Sequence, residues 1–365
     1  MKIVTVLGAR PQFIKASVVS ASIARHPSLQ EIVIHTGQHF DDNMSSVFFA
    51  ELGMADPKYH LGIHGGNHGR MTGRMLEAIE EILLNEKPDV VLIYGDTNST
   101  LAAALAAVKL HIPVAHVEAG LRSFNMRMPE EINRILTDRV STWLFAPTVA
   151  AVEHLRRESL PPDAIHLVGD VMFDAARQHG ARAEKLRNDA MAALGLQASG
   201  YVLATVHRAE NTDDGARLRT IVDALGTVAA HIPVLWPLHP RARAALQRTG
   251  LLERAERLFK LVQPLGYLDM VLAERNAAVI ATDSGGVQKE AFFHAVPCVT
   301  LRNETEWVEL VDANWNRLAP PDIGANGVAE AILSARGLAG DPIVPYGDGH
   351  AAEKIAECLD AQSAP

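Results

Sequence analysis

Three carboxylates and one arginine occupy positions typical of a reaction centre in a parallel α/β sheet. Arg10 lies in LGARPQFIKA, Asp96 in IYGDTNST, Glu118 in AHVEAGLRS and Glu130 in MPEEINR. All four are predicted at strand ends, Glu130 opening the next helix, and the carboxyl ends of parallel strands border the ligand crevice. Two carboxylates of different pKa can exchange a proton with a carbon acid on both faces of one substrate. The pattern therefore predicts acid–base chemistry on carbon.

Ordinary structural roles are also open to these residues. Asp96 precedes a predicted helix and could cap it. Glu130 follows Pro129 at a helix start, where the helix dipole favours a negative charge whether or not the residue reacts. Glu118 precedes a turn at Gly120, where no helix needs a cap. The prediction of chemistry therefore rests on the group and not on any single member.

A second set of polar residues follows strands in the C-terminal half. In ATDSGGVQKEA the turn Ser284–Gly286 lies between a strand and a helix, and the helix N-terminus favours a diphosphate there, although turn geometry alone could also require the glycines. Glu290 is predicted to reach a ribose diol, or to be an ordinary surface glutamate. His207 and His239 each follow a strand and are predicted to face the same crevice.

Several cofactors are not indicated. The GARP turn lacks the G-x-G-x-x-G of dinucleotide binding, and G-x-x-x-x-G-K-[ST] is absent, so neither NAD nor ATP is suggested. The histidines at 60, 64 and 68 fall in a glycine-rich loop with no acidic residue at metal-site spacing, and Cys298 and Cys358 lack such spacing too. We expect no metal.

Composition and charge limit the classes of partner. The chain has 365 residues, 48% hydrophobic and 5% aromatic, which suits an α/β protein of two domains. A net charge of -9 without a long Lys/Arg block argues against nucleic acid or an anionic membrane as the main partner. The apolar run Ile3–Leu7 is too short for a signal-peptide core, so a cytoplasmic location is expected.

Strand and helix periods alternate along the whole chain. The predicted strands are Lys2–Leu7, Glu31–Thr36, Asp89–Tyr94, Pro113–Val117, Trp143–Ala146, Tyr201–Val206, Pro233–Trp236, Phe259–Val262, Ala278–Thr282 and Pro297–Leu301. The pattern weakens through the polar stretch Arg177–Gly200, which is taken as a linker. The sequence thus predicts an α/β protein of two doubly wound, Rossmann-like domains, 1–175 and 176–349, facing a central cleft.

Six motifs together resemble the non-hydrolysing UDP-N-acetylglucosamine 2-epimerases. They are GARPQFIK, GDTNST, HVEAGLRS, PEEINR, TDSGGVQKEA and PYGDG, in order from residue 8 to residue 349. The resemblance implies a glycosyltransferase B type fold, a C-terminal helix at 350–365 returning to the first domain, and a homodimer. It also implies chemistry without a redox cofactor or metal. Loss of the C2 proton and of UDP would give 2-acetamidoglucal, and UDP would then re-add with the proton on the opposite face of C2.

The resemblance also implies roles for individual residues. The catalytic positions of the family fall on Asp96, Glu118, Glu130 and His207. The UDP-binding positions fall on Arg10, Lys15, His239, Ser284, Gly285, Gly286 and Glu290.

Departures from the family pattern bear on the substrate. Usual members read GTRPEAIK and TTERPE, where this chain has GARPQFIK, with Gln12, and ETEWVE, with Trp307. These changes are similar to a subgroup acting on UDP-2,3-diacetamido-2,3-dideoxyglucuronate for surface polysaccharide, where Arg127 would suit the uronate or simply be a solvated loop residue. UDP-N-acetylglucosamine is the first expectation and the uronate the alternative.

Other functions remain open at this point. A UDP-sugar glycosyltransferase of the same fold is less favoured, since the retaining type has two glutamates eight residues apart and Thr282 and Cys298 stand at that spacing from Glu290. A hydrolysing epimerase would release free sugar and UDP. A nucleotide-sugar sensor would not need three crevice carboxylates.

Overall fold

The computed structural model describes residues 1–38, 49, 51–187 and 189–362, which form two compact units. Unit 1 comprises Met1–Ala175 with the C-terminal segment from Val344, and unit 2 comprises Ala176–Ile343. Each unit is built on one sheet whose strand pairs are all parallel. The prediction of two parallel-sheet α/β domains is thus confirmed.

Seven strands of the described residues form the sheet of unit 1, in the order β3-β2-β1-β4-β5-β6-β7. The strands are β1 Lys2–Leu7, β2 Gln30–His35, β3 Tyr59–His60, β4 Val90–Tyr94, β5 Val114–Val117, β6 Trp143–Ala146 and β7 Ile165–Leu167. The helices are α1 Arg10–Ile23, α2 His68–Glu86, α3 Asn98–Lys109, α4 Pro129–Val140, α5 Val149–Arg157 and α6 Val171–Arg187, which crosses into unit 2.

The sequence of the central strands explains their place in the sheet. β1 and β4 read KIVTVL and VVLIY, and all but the first residue of β1 are buried. Strands covered by helices on both faces need such continuous apolar runs. An apolar stripe of α2 packs on this core through Met75, Ile79 and Leu83.

Unit 2 contains six described strands in the order β10-β9-β8-β11-β12-β13. They are β8 Val202–Thr205, β9 Val234–Pro237, β10 Lys260–Val262, β11 Val279–Thr282, β12 Cys298–Thr300 and β13 Asn316–Leu318. The helices are α7 Ala190–Ala193, α8 Ala209–Thr212, α9 Gly215–Ala229, α10 Pro240–Arg248, α11 Leu252–Leu258, α12 Tyr267–Arg275, α13 Gly285–Phe293, α14 Val308–Asp312 and α15 Gly324–Ser334. Trp236 on β9 is the largest fully buried side chain of its core.

Two features differ from the sequence prediction. Strands β3, β7 and β13 were not predicted, because each has only two or three residues at or near a sheet edge and offers no apolar run. The linker predicted from Arg177 is wrong in its first part, where α6 continues to Arg187. The buried face of α6 carries small or polar residues such as Ala176, His179 and Ala183, so hydrophobic periodicity does not reveal the helix.

The C-terminal helix α16, Ala351–Ala361, belongs to unit 1 and packs against α1. Ile355 and Leu359 are fully buried in it. The Asp174 carboxylate accepts a 2.7 Å hydrogen bond from the Ala352 N–H at the start of the helix. In the part of the chain that the structure describes, no helix has both the length and the apolarity to cross a membrane.

Candidate active site

The turn after β4 presents Asp96 at the carboxyl edge of the unit 1 sheet. Gly95 turns the chain with a φ of 63°, a conformation that glycine adopts without strain. Arg134 on α4 binds the Asp96 carboxylate through Nη2 at 2.7 Å and Nε at 2.9 Å. The helix cap of α3 is Thr97, whose hydroxyl accepts from the Thr100 N–H. The interpretation of Asp96 as a capping residue is therefore wrong.

Arg134 is itself held by a second carboxylate. It forms an ion pair with the nearly inaccessible Glu131, one turn earlier in α4. Glu131 also accepts hydrogen bonds from the backbone N–H groups of Ser123 and Phe124. Burial opposes the charged form of Glu131, but these partners outweigh it and lower the pKa of its carboxyl. The guanidinium is thus fixed on both sides in the position from which it binds Asp96.

Glu118 follows β5 and forms an ion pair with Lys15 on α1. The side chains are only 8% and 14% exposed, and the Glu118 backbone adopts a φ of 70°, unusual for a residue other than glycine. Burial opposes the Lys15 ammonium, yet Glu118, then Asp170 and Asp96, raise its pKa above the usual 10.5. The stabilisation from this raised pKa is therefore fully present at neutral pH.

A buried ion-pair network lies beneath both turns. His116 on β5 has no exposed surface; its Nε2 donates to the Gly95 carbonyl at 2.7 Å, and its Nδ1 lies 2.7 Å from the Asp138 carboxylate. Asp138 also accepts from the Gly120 N–H at 3.0 Å and pairs with Arg122 at 2.7 Å. The backbone that carries Asp96 and the backbone that follows Glu118 are thereby tied to one helix, α4.

A cavity of about 250 Å³ opens where these turns meet, within unit 1. Three predicted site residues line it: Lys15, Asp96 and Glu130. Glu118 lies outside the lining and is paired with Lys15. Glu130 is the second residue of α4 and, among the described residues, has no hydrogen-bond or ion-pair partner. Arg10 is the first residue of α1 and lies outside this lining.

In unit 2 a buried carboxylate fixes the turn after β8. Asp283 has no exposed surface and accepts from the backbone N–H groups of His207 at 3.0 Å and Arg208 at 3.0 Å, and from the Asn211 side chain at 3.1 Å. The ring of His207 lies 5.3 Å from that of His239. Burial, then His207 and Arg241, lower the pKa of His239. The two predicted histidines are thus neighbours.

The turn Ser284–Gly286 forms the N-terminus of α13, with the Ser284 hydroxyl as its cap. Neither glycine has a positive φ. A Cβ at Gly285 would lie 3.5 Å from Arg208 Nη2, and one at Gly286 would lie 3.9 Å from Ser284 Oγ, which are ordinary contacts. The explanation of these glycines by turn geometry alone is therefore wrong. The helix N-terminus is open to a ligand that approaches the backbone closely.

Trp307 and Glu290 lie near this turn. Trp307 donates its indole N–H to the Gly285 carbonyl at 2.8 Å. Glu290 lies half-buried on α13 beside Glu274. The burial of Glu274 raises the pKa of its carboxyl well above the usual value, and the charge of Glu290 and a hydrogen bond with it raise this pKa further. Trp307 is therefore in direct contact with the turn predicted to bind an anion.

Sequence reasoning missed the residues that hold the site in place. Arg134 is the last residue of the PEEINR motif and Asp138 lies four residues further along α4, and the spacing of Arg134 four residues after Glu130 was a signal for a shared helix face. His116 and Asp283 gave no such signal, since their partners are distant in sequence. No cluster of three or more potential metal-ligating side chains was found when the described residues were searched.

Comparison with known proteins identifies the family. Residues 21–360 match the family model described as UDP-N-acetylglucosamine 2-epimerase. The chain is 53% identical to the UDP-2,3-diacetamido-2,3-dideoxy-D-glucuronate 2-epimerase of Pseudomonas aeruginosa, over 98% of this chain and 99% of the other. It is 42% identical to the UDP-N-acetylglucosamine 2-epimerase of Methanococcus maripaludis, with both chains fully covered.

A solved structure gives the same result for the fold. The UDP-GlcNAc 2-epimerase of Methanocaldococcus jannaschii, in complex with UDP-GlcNAc and UDP, superposes with a TM-score of 0.84 at 41% identity, covering 99% of this chain and 100% of the other. The similarity therefore extends over both sheets and all the motifs.

The Lys15–Glu118 pair yields a stability prediction. Replacing Lys15 by methionine leaves a buried carboxylate without its cation, which costs about 3–5 kcal/mol in such pairs. We expect Lys15→Met to lower the free energy of unfolding by about 3 kcal/mol and Lys15→Met/Glu118→Gln to recover most of that loss. Urea denaturation measures both, with Lys109→Met, at an exposed position of α3, as the control. Additive losses in the double variant would contradict the coupling.

Proposed function

This chain belongs to the UDP-N-acetylglucosamine 2-epimerase family and is an isomerase, and we propose that it inverts C2 of a UDP-linked 2-acetamido sugar without hydrolysing it. The observation that carries the proposal is the grouping of Asp96, Glu130 and Lys15 around one cavity, with Glu118 paired to Lys15. Epimerisation at C2 requires a proton to leave one face and return to the other, which calls for more than one acid–base group.

The carboxylates of unit 1 would perform the proton transfers. Removal of the C2 proton with departure of UDP gives 2-acetamidoglucal, and re-addition of UDP with protonation of the opposite face gives the epimer. Asp96 and Glu118 are each oriented by a cation, Arg134 and Lys15, so their oxygens are fixed relative to the cavity. Glu130, which lacks a partner among the described residues, retains both oxygens for the substrate.

The UDP group would bind to unit 2. The N-terminus of α13 offers backbone N–H groups and a favourable dipole to a diphosphate, and Gly285 and Gly286 leave space in front of it. We assign Glu290 to the ribose and His207 and His239 to the neighbourhood of the leaving phosphate. We also assign Arg10, the first residue of α1, to UDP binding. UDP must stay bound between elimination and re-addition, because free diffusion would lose the advantage of proximity.

Two observations favour the diacetamido-uronate as the physiological sugar. Identity to the P. aeruginosa enzyme of that name is 53%, against 42% for the M. maripaludis UDP-N-acetylglucosamine 2-epimerase. The departures in GARPQFIK and ETEWVE also favour the diacetamido-uronate, because they are similar to the subgroup that acts on it. Arg127 lies exposed in the loop before α4 and outside the cavity lining, so we do not assign the uronate carboxylate to it. The product would serve surface polysaccharide synthesis from the cytoplasm.

Proton NMR in deuterated water tests the reaction. With UDP-2,3-diacetamido-2,3-dideoxyglucuronate we expect the C2 epimer to appear with deuterium at C2 and little free UDP, and with UDP-N-acetylglucosamine a slower version of the same change. Accumulation of free UDP with free sugar would instead identify a hydrolysing enzyme. Inversion at C2 without deuterium would exclude exchange of the C2 proton with solvent.

Variants of the same assay test the carboxylates. Asp96→Asn and Glu118→Gln should abolish turnover while UDP affinity stays within about tenfold, or roughly 1.4 kcal/mol. Glu153→Gln, at an exposed position of α5, controls for the loss of one charge. If both site variants also lose UDP binding, the assignment of these residues to the chemical step is wrong.

A methyl group at Gly286 tests the UDP site separately. Because a Cβ there meets no protein atom closer than 3.9 Å, Gly286→Ala should leave thermal stability unchanged or slightly raised. The methyl would occupy the space through which the diphosphate approaches, so UDP affinity should fall at least about tenfold, roughly 1.4 kcal/mol. Calorimetric titration with UDP measures this. Unchanged affinity would place the diphosphate elsewhere. Ser334→Ala, exposed on α15, is the control. Gly250→Ala in a remote turn is unsuitable as a control because the φ of Gly250 is positive.

We also propose a homodimer, supported by an exposed apolar stripe on unit 1. Met128, Ile132 and Leu136 recur every fourth residue along α4 and are 36%, 40% and 44% exposed. Phe124 and Met126, in the loop before the helix, are 72% and 60% exposed. A contiguous apolar surface of this kind is typical of an interface, and a second copy of the chain presents the same surface in return.

Light scattering after size exclusion checks the dimer. We expect the particle in solution to have twice the 39.5 kDa mass of one chain. The double variant Ile132→Lys/Leu136→Lys should reduce the measured mass to that of the monomer, because each chain then places two like charges in the interface. Ile323→Lys, at an apolar position 51% exposed on unit 2, is the matched control. A wild-type monomer, or a double variant that stays dimeric, would contradict this interface.

A further inference from the structure

Gln12, in the first turn of α1, is a buried amide that connects two separate turns of unit 1. It is 2% exposed. Its carbonyl accepts from the N–H groups of Gly8 at 2.8 Å and Ala9 at 3.0 Å. Its NH2 group donates to the Tyr94 carbonyl at 2.7 Å and contacts the hydroxyls of Thr97 at 3.1 Å and Thr100 at 3.0 Å.

The partners leave only one orientation for this amide. Backbone N–H groups can bind only its oxygen, and the Tyr94 carbonyl can bind only its nitrogen. Gly8 and Ala9 directly precede α1, which carries Arg10 and Lys15, whereas Tyr94 directly precedes the Gly95–Asp96 turn. One side chain therefore links the segment that carries the two predicted cations to the segment that carries a predicted acid.

The same bonds distinguish α1 from α13. The N–H groups of Gly8 and Ala9, just before α1 begins at Arg10, are directed to Gln12 and are not available to a ligand. Gly8 is required by packing, since a Cβ there would lie 2.1 Å from Ser99 Oγ and 2.3 Å from Thr36 Oγ1. The first turn of unit 1 therefore serves as a rigid support for side chains, unlike the open turn of unit 2.

We propose that Gln12 is a positioning residue for the epimerisation, holding Asp96 in register with Lys15 and Arg10. The proposal rests on the proposed function. Gln12 also lines the cavity, but the hydrogen-bonding groups of its amide are directed to the protein, so its influence on the site passes through the two turns.

Two substitutions separate the halves of this link. Gln12→Leu keeps the approximate size but removes every hydrogen bond, whereas Gln12→Glu retains an oxygen for the Gly8 and Ala9 N–H groups and, when ionised, cannot donate to the Tyr94 carbonyl. A displacement of about 1 Å in a catalytic group can cost about a hundredfold in rate. We expect kcat to fall by about that factor in Gln12→Leu and by less in Gln12→Glu, with KM and UDP affinity little changed in both.

Steady-state kinetics and UDP calorimetry make the test, with Gln178→Glu, exposed on α6, as the control for an added charge. An active wild type with a Gln12→Leu variant of equal kcat would overturn the proposal, as would an equal loss in both variants. If Gln12→Leu does not fold, Thr100→Val, which removes one acceptor of the amide, should still lower kcat several-fold with KM unchanged, and a normal kcat would overturn the proposal. An inactive wild type would instead count against the proposed function.

Discussion

The polar groups buried at the carboxyl edge of the first sheet must all find partners within the protein, and this requirement organises the site. Strand ends expose backbone donors and acceptors just where the chain turns. In unit 1 the backbone groups are taken up by Gln12 and by the His116–Asp138 pair, and the Asp96 and Glu118 carboxylates are paired with Arg134 and Lys15. Gln12 and Lys15 lie on α1, Asp138 and Arg134 on α4 and His116 on β5, so a change in one turn is transmitted to the others.

This satisfaction of polar groups also fixes the geometry of the proposed catalytic residues. Because Arg134 is held by Glu131 and Lys15 is nearly buried, neither cation can follow its carboxylate to a new position without losing other bonds. Rigid support of this kind is what acid–base catalysis on a carbon acid needs, since each proton acceptor must already lie near C2 when the sugar binds. Stability and positioning depend here on the same contacts.

The second unit uses the same architecture for a different purpose. Asp283 satisfies the backbone of the turn after β8 from within. Among the described residues, the Ser284 hydroxyl accepts from the Val287 N–H at the start of α13, and Trp307 binds the Gly285 carbonyl. In unit 1 the Gly8 and Ala9 N–H groups just before α1 are bound by Gln12. One helix N-terminus is thus suited to bind an anion and the other to hold side chains in register, which agrees with the proposed division between UDP binding and proton transfer.

The sequence by itself determined the two parallel sheets, the ten longer or more apolar strands and the group of residues at their carboxyl ends, because buried parallel strands and strand-end residues follow from local patterns. It did not reveal β3, β7, β13 or α6, whose few apolar residues give no periodicity. Nor could it decide whether Asp96 caps a helix or whether Gly285 and Gly286 serve the turn. Those questions depended on Thr97, Arg134 and the space in front of α13. Only the tertiary structure decided them, because hydrogen bonds and ion pairs between residues up to a hundred positions apart depend on how the elements pack and leave no spacing to read along the chain.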